Sequence, residues 1–191
     1  MRWPDRFPEL ETERLRITIP EASYAPQVRA YFEDNREHLE PWGPPMPPVL
    51  FTDDYWRERL ADNRDAFARG EKLSLSLRLR GALPQVGTVS LFDFLRGAAQ
   101  RCTLGYNLAA AHVGQGLMTE ALGAVLPYVF ETTGIHRICA SHAVGNERSA
   151  AVLRRLGFEV DGTARGWMYG AHGWSDSVLY GLLAPNAPAP W

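Results

Sequence analysis

The sequence is short of cysteine, with two in 191 residues, and Cys102 and Cys139 do not form a CxxC pair. A disulfide framework is therefore not expected, and a reducing cytoplasm is the natural setting. The sequence also lacks an apolar N-terminal run typical of a signal peptide, and it has no uncharged apolar stretch of about 20 residues that could span a membrane. We therefore expect a cytoplasmic protein with no membrane partner.

An excess of charge of one sign is also absent. Twenty Lys and Arg residues stand against 22 Asp and Glu, a formal net charge of −2, which argues against a nucleic-acid partner. What is present is an average globular composition, 46% hydrophobic, with no internal repeat and no long linker. We expect a single domain over residues 1–191, with 184–191 as a loose tail.

Hydrophobic periodicity predicts an α+β order of elements. Alternating apolar residues favour strands, and apolar stripes at helical spacing favour helices. The predicted strands cover 14–20, 72–80, 85–94, 100–109, 136–142, 158–165 and 174–183. The predicted helices cover 22–35, 53–69, 115–133 and 147–156. For the last of them, Asn146 can cap the first amides and Gly157 supplies a left-handed stop. Five prolines within 41–48 predict a stiff loop, and Pro127 predicts a bend in its helix.

Two glycines lie between a predicted strand and the helix that follows it, in HVGQGLMTEAL from His112 to Leu122. Without side chains, Gly114 and Gly116 let several backbone amides converge on an anion at a helix N-terminus. The segment contains neither the GK[ST] of a Walker loop nor a GxGxxG sequence. It is compatible with a phosphate cradle for another pyrophosphate-bearing cofactor and with a simple tight turn.

A second motif, NERSAAVLRRLGF, begins at Asn146. Together the two segments resemble the GNAT superfamily of acyl-coenzyme-A-dependent N-acetyltransferases, in which the glycine loop binds the pyrophosphate and NxxS…LGF flanks the pantetheine arm. Three further segments are similar to the RimJ/RimL branch, the ribosomal-protein-alanine N-acetyltransferases: LETERLRI at 10–17, NREHLEPW at 35–42 and GWSD at 173–176.

The resemblance implies a GNAT fold, with helices on both faces of a mixed, mostly antiparallel twisted sheet. A central parallel strand pair splays apart for CoA. Acetyl-CoA is then the co-substrate, and no metal is expected. Strand amides at Asn107 and Leu108 would bind the pantetheine arm, and a free amide there can hold the oxyanion of a tetrahedral intermediate. The resemblance assigns further cofactor contacts to Val113, Gly114, Gln115, Gly116, Leu117, Met118 and Asn146.

Acetyl transfer to an amine needs a donor for the departing thiolate and a route for the amine proton. Many superfamily members carry a tyrosine in the last helix, but the matching residue here is Leu153. We predict Ser149, typical of the RimJ/RimL branch, as the donor; a plain polar residue in a first helical turn is the alternative. His142 is the candidate base, against a partly buried strand histidine or a water path for the proton.

The acceptor is less constrained. In this branch the proline-rich loop helps to form the acceptor pocket, so His38 and Trp42 are candidate acceptor-binding residues. Tyr106 either lines the same pocket or is an aromatic residue of the core. Residues 21–70 contain ten Asp or Glu against six Arg, which favours a basic peptide. A homodimer is compatible with the resemblance.

We predict direct acetyl transfer, in a ternary complex, from acetyl-CoA to a primary amine, a peptide or protein N-terminus. Cys102 and Cys139 are interpreted as small strand residues and not as nucleophiles, so we expect no acyl-cysteine intermediate. Acetylation of a small amine or antibiotic is one alternative. A non-catalytic acyl-CoA-binding or regulatory module is another.

Overall fold

The computed structural model describes residues 3–185, and in them eight strands form one mixed sheet with helices on both faces. Its strands are β1 (Glu9–Glu11), β2 (Leu15–Thr18), β3 (Leu73–Leu79), β4 (Gln85–Leu95), β5 (Arg101–Leu108), β6 (Arg137–Ala143), β7 (Glu159–Gly170) and β8 (Gly173–Leu183). Its α-helices are α1 (Ala25–Asp34), α2 (Arg36–Leu39), α3 (Asp53–Ala68), α4 (Leu117–Thr133) and α5 (Glu147–Arg155). The order is β1-β2-β3-β4-β5-β6-β8-β7, and among these described strands only β5 and β6 pair in parallel.

The α+β order predicted from the sequence is confirmed, with corrections at several ends. The pattern does not predict β1, which is only three residues long. The helix predicted over 22–35 begins as a 3-10 turn at Ala22–Tyr24, because Pro26 has no amide to donate to the carbonyl of Ala22. The strands predicted over 158–165 and 174–183 extend into one long hairpin that turns between Gly170 and Gly173.

Alternation along the central strands gives the sheet one apolar and one polar face. Leu75 of β3 pairs with Val89 of β4, and both belong to the main core, which also includes α4 and the middle of α5. The next pair, Ser76 with Thr88, has the opposite orientation because successive side chains of a strand point to opposite faces. The polar face is the one that α1 and α3 cover.

Helix α4 is the main apolar support of the sheet. Its buried residues are Leu117, Met118, Ala121, Leu122, Val125, Leu126, Val129 and Thr133. Pro127 lies inside the helix as the sequence indicates. Among residues 3–185, no helix has the combination of length and apolarity that crossing a bilayer requires. Of the predicted tail, Ala184 still donates a hydrogen bond to the carbonyl of His136 (2.8 Å), and 186–191 lie outside the described residues.

Candidate active site

The parallel strands β5 and β6 separate soon after they pair. Their last pair is Leu104 with Ala140. Beyond it, β5 continues beside β4 as far as Leu108, and β6 continues beside β8 as far as Ala143. Past the last pair, each of the two strands therefore has a partner on one edge alone. This splay offers backbone donors and acceptors to an extended ligand, as the edge of a sheet does.

The glycine loop between β5 and α4 carries unpaired amides. Within residues 3–185, no protein group accepts a hydrogen bond from the amides of 114–119. Gly114 and Gly116 have left-handed φ values of +80° and +77°, which glycine adopts at little cost. Because α4 begins at Leu117, its positive end lies at the same place. The loop can therefore hold an anion such as a pyrophosphate.

A carboxylate on α4 braces this loop from behind. Glu120 accepts hydrogen bonds from the Thr12 hydroxyl (2.5 Å), the Arg14 amide (2.8 Å) and the Arg14 Nε (2.6 Å). Arg14 also donates through Nη1 to the carbonyl of Gln115 (2.9 Å). Thr12 and Arg14 belong to the LETERLRI segment, so that segment holds the Gln115 carbonyl of the loop in place. Glu120 lies more than 100 residues from Thr12 and Arg14 in the chain, so the sequence alone does not show these contacts.

We expect Glu120→Gln to lower the free energy of unfolding at pH 7 by about 1–3 kcal/mol, because a neutral amide replaces the carboxylate that accepts these hydrogen bonds. Burial raises the pKa of the Glu120 carboxyl, but the bonds from Thr12 and Arg14 and the charge of Arg14 outweigh it and leave that pKa lowered. A carboxyl whose pKa is lower in the folded state stabilises the fold at pH values above its pKa in the unfolded state, ~4.3. This stabilisation is lost as the pH falls through the pKa of the folded state.

The difference between Glu120→Gln and the wild type should therefore shrink in acid. Urea unfolding at pH 7 and at pH 3.5 measures it. Glu131, exposed near the other end of the same helix, gives the matched control Glu131→Gln, for which we expect little change at either pH. Equal losses from the two variants at pH 7 would contradict the brace.

Two hydroxyls meet at the splay. Tyr106, two residues past the last β5–β6 pair, has its hydroxyl 2.7 Å from Ser149 Oγ, and either oxygen can be the donor. The Tyr106 hydroxyl also lies 3.3 Å from the Ser149 carbonyl oxygen. Burial raises the pKa of Tyr106 to about 12, so this phenol keeps its proton at neutral pH. Leu153, at the position of the superfamily tyrosine, is fully buried.

The start of α5 holds Ser149 in place. The side-chain oxygen of Asn146 accepts a hydrogen bond from the Ser149 amide (3.1 Å), which is the N-cap interaction. Such a cap is typically worth ~1 kcal/mol to a helix. Asn146 therefore caps α5 as the sequence predicts, and this role is compatible with the cofactor contact that the resemblance implies.

The polar end of β5 is tied to α1. The Asn107 side-chain oxygen accepts hydrogen bonds from the Tyr31 hydroxyl (2.7 Å) and the Thr88 hydroxyl (2.9 Å). One helical turn further on, Asn35 accepts a hydrogen bond from the Ala110 amide (2.9 Å). Tyr31 and Asn107 lie 76 residues apart in the chain, so the sequence alone does not show this contact. These bonds fix β5 on the side away from β6.

His142 lies in β6 with 8% of its surface exposed. Its Nδ1 is 2.9 Å from the Ala143 carbonyl oxygen, and its Nε2 is 3.1 Å from the Tyr180 hydroxyl. The ring therefore has a hydrogen-bond partner at each nitrogen, as expected of a satisfied strand histidine.

One cleft of about 1160 Å³ brings the predicted residues together. It is lined by every predicted site residue except Gln115: His38, Trp42, Tyr106, Asn107, Leu108, Val113, Gly114, Gly116, Leu117, Met118, His142, Asn146 and Ser149. The Gln115 side chain instead donates to the Ala111 carbonyl (2.8 Å). The cleft therefore extends from the glycine loop, past the splay, to the proline-rich segment.

This combination of splay, glycine loop and capped α5 has a counterpart in a known family. A sequence profile of the acetyltransferase (GNAT) domain matches residues 14–159. The chain belongs to the GNAT acetyltransferase family. This GNAT chain is an acetyl-CoA-dependent N-acetyltransferase, and both the predicted family and the predicted fold, including its splayed parallel pair, are confirmed.

Relatives of the GNAT chain share most of its length. The ribosomal protein uS5-alanine N-acetyltransferase of Escherichia coli is 32% identical over 177 residues, which covers 93% of this chain and 91% of the relative. The crystal structure of the ribosomal-protein-S5-alanine acetyltransferase from Vibrio fischeri has 28% identity and a TM-score of 0.91, covering 95% of this chain and 99% of that one. RimJ from Mycobacterium smegmatis, in complex with CoA-disulfide, has 26% identity and a TM-score of 0.85, covering 97% and 91%.

Proposed function

We propose that this acetyltransferase transfers the acetyl group to the N-terminal amine of a peptide or protein. The observation that carries the proposal is the single cleft that joins the cofactor residues to the acceptor side across the splay. Two relatives named for the alanine of ribosomal protein S5 support a protein N-terminus as the acceptor class. The amine and the thioester would meet at the splay.

On the cofactor side, the unpaired amides of the glycine loop suit the pyrophosphate of CoA. Arg148 and Arg155 of α5 also line the cleft and can supply positive charge to the phosphates of CoA. The open edges of β5 and β6 suit the two amides of the pantetheine arm. When bound, acetyl-CoA supplies the activated acetyl group, and these residues orient it.

We propose that Ser149 supplies the proton for the departing thiolate. If the Tyr106 phenol donates to Ser149 Oγ, the hydrogen of Ser149 is free to point at the sulfur. A chain of two hydroxyls also polarises the second one, which strengthens its donor character. The new N–C bond forms as the C–S bond breaks, and the departing sulfur takes a proton from Ser149. The proton that the amine nitrogen releases restores the Ser149 hydroxyl, so the net products are the amide and the CoA thiol.

The amine proton needs a separate route. To act as the base, His142 would have to give up its contact with either the Ala143 carbonyl or Tyr180. A peptide N-terminus has a pKa of about 8 in solution, so part of it is already neutral at physiological pH. We therefore propose that water carries this proton and that His142 positions β6 against β8.

Direct transfer also agrees with the state of the cysteines. Burial raises the pKa of Cys102 to about 12, which leaves almost no thiolate at neutral pH. Neither Cys102 nor Cys139 is among the residues that line the cleft. Because neither thiol lines the cleft, we propose a ternary complex in which the acetyl group moves in one transfer without an acyl-cysteine.

Thiol release from acetyl-CoA tests the acceptor class. We expect a peptide with a free N-terminal alanine to release thiol and gain one acetyl group by mass spectrometry. The matched control peptide has a blocked N-terminus and a free lysine side chain, and it should stay unmodified. If the enzyme acetylates that lysine or small polyamines in preference to the N-terminal amine, the proposed acceptor class is wrong. CoA binding without thiol release from any acceptor would indicate a non-catalytic module.

A further inference from the structure

The polar face of the sheet carries a cluster of hydrogen-bonding side chains inside the cleft. Lys72, Ser74, Ser76 and Gln85 line the cleft from β3, β4 and the residue before β3. Asn63 of α3 covers them from above and accepts a hydrogen bond from the Lys72 ammonium (3.0 Å). The proposed cofactor contacts and the Tyr106–Ser149 pair use none of these side chains.

Two buried atoms of this cluster have no protein partner. The Ser74 hydroxyl and the Gln85 Nε2 make no hydrogen bond within residues 3–185, although the two residues are only 9% and 6% exposed. The other end of the Gln85 amide is fixed, because its Oε1 accepts a hydrogen bond from Ser76 (2.8 Å). A buried donor without a partner lowers the stability of the fold, so the pair is a candidate site for a ligand atom.

The free groups all suit an acceptor atom on the ligand. The Gln85 Nε2 is a donor only, the Ser74 hydroxyl can donate, and the Lys72 ammonium has two hydrogens beyond the one given to Asn63. Burial, and to a smaller extent the charge of Arg59, lowers the pKa of Lys72. An anion beside Lys72 would offset both effects.

The charge of the cleft differs from the charge of the segment that covers it. None of the ten acidic side chains of residues 21–70 lines the cleft, whereas Arg59 of that segment does. Several of those acids instead pair with neighbouring arginines, as Asp53 does with Arg29 (2.7 Å). The net charge of the segment therefore does not describe the surface that an acceptor meets.

We propose that Lys72, Ser74 and Gln85 form a polar subsite that binds a carboxylate of the acceptor peptide, an Asp or Glu side chain close to its N-terminus. This inference rests on the proposed function, since it takes the acceptor to be a peptide. It replaces the basic acceptor that the charge of residues 21–70 favours. A carboxylate is the side-chain group that can accept hydrogen bonds from all three residues while matching the charge of Lys72.

The distance across the sheet indicates which acceptor residue would reach the subsite. Ser74 pairs with Ser90, and Ser90 pairs with Gly105, the first residue of β5 past the last β5–β6 pair. Adjacent strands lie ~4.8 Å apart, so Ser74 is about 10 Å from the splay. An extended peptide advances ~3.4 Å per residue, so an amine at the splay places the second or third side chain at the subsite.

Peptide binding to the CoA-loaded protein tests the subsite without relying on turnover. The probes are three C-terminally amidated pentapeptides that start with alanine and carry Glu, Gln or Lys at both the second and third positions. We expect the Glu peptide to bind about tenfold more tightly than the Gln peptide, and the Lys peptide to bind most weakly. Lys72→Met should bring the Glu and Gln peptides to equal affinity, while Lys72→Arg, which keeps the charge, should retain most of the preference.

Arg57→Met is the matched control, because Arg57 is an exposed cation of α3 that does not line the cleft. Ser74→Ala is a second, smaller change and should weaken the Glu peptide alone. Equal wild-type affinities for Glu and Gln peptides, or a preference that survives Lys72→Met, would overturn the subsite. Thiol release with the same peptides is recorded separately: its absence overturns the proposed function, whereas the order of affinities decides the subsite.

Discussion

Ser149→Ala is expected to lower kcat about 10²-fold while the affinity for CoA changes less than twofold. The hydroxyl acts only as the C–S bond breaks, so its loss affects the transition state and not the bound cofactor. General acid catalysis is worth roughly 10²–10⁴-fold, and water can partly replace a lost hydroxyl, which places the effect at the lower end. Steady-state thiol release and calorimetric titration with CoA measure the two quantities.

Tyr106→Phe separates the two hydroxyls. It leaves the ring and removes only the group 2.7 Å from Ser149 Oγ, so kcat should fall by a smaller factor, about three- to tenfold. Thr132→Ala is the control, since it removes a hydroxyl near the far end of α4, ~22 Å along the helix from Leu117. If Ser149→Ala turns over like the wild type, catalysis belongs to the strand amides and to positioning.

Gly114→Val is expected to raise the Kd for CoA about 10²-fold. An added Cβ at Gly114 meets no protein atom within 4 Å, so the new side chain projects into open space at the cleft and obstructs the approach of a phosphate to the loop amides. Loss of one or two charge-assisted hydrogen bonds is sufficient for this magnitude. Calorimetric titration with CoA is the measurement.

The backbone of Gly114 complicates that test, because valine at a φ of +80° is strained by about 1–3 kcal/mol. Gly81 provides the matched control. It has a φ of +78°, an added Cβ there also meets nothing within 4 Å, and it does not line the cleft. Gly81→Val should lose similar stability and bind CoA normally. Normal CoA binding by Gly114→Val would make the loop a simple turn.

The sequence predicts the fold well where the signal is local. Alternation in KLSLSLRLR specifies β3 and its apolar side, and the Asn146 cap and Gly157 bracket α5. The errors fall where chain-distant contacts decide the structure. Strand β7 has an irregularity between Ala164 and Met168, and beyond it the pairing with β8 resumes and continues to Gly170 opposite Gly173. Pairing with a partner strand therefore outweighs the low strand propensity of glycine.

The candidate site can be predicted from the sequence only where its parts are local. The glycine loop is contiguous in sequence, so the spacing of Gly114 and Gly116 is sufficient to predict a phosphate-binding loop. The Tyr106–Ser149 contact spans 43 residues, and the Arg14–Glu120 brace spans 106, so neither leaves a periodic or local signal. The proposed subsite cannot be recognised from the sequence for another reason. Alternation places Ser74 on the polar face of its strand, but it does not show that α3 buries that face.

The splay gives this sheet four strand edges, because β5 and β6 each have an unpaired edge in addition to those of β1 and β7. Exposed strand edges recruit other chains and are a common origin of aggregation. Here the inner edges are short: β5 ends at Leu108 and β6 at Ala143. Strands are typically ~5–6 residues long, so these edges are too short to hold a foreign strand firmly. The length of the gap therefore favours a short ligand, such as the proposed pantetheine arm with its two amides, over a second polypeptide strand.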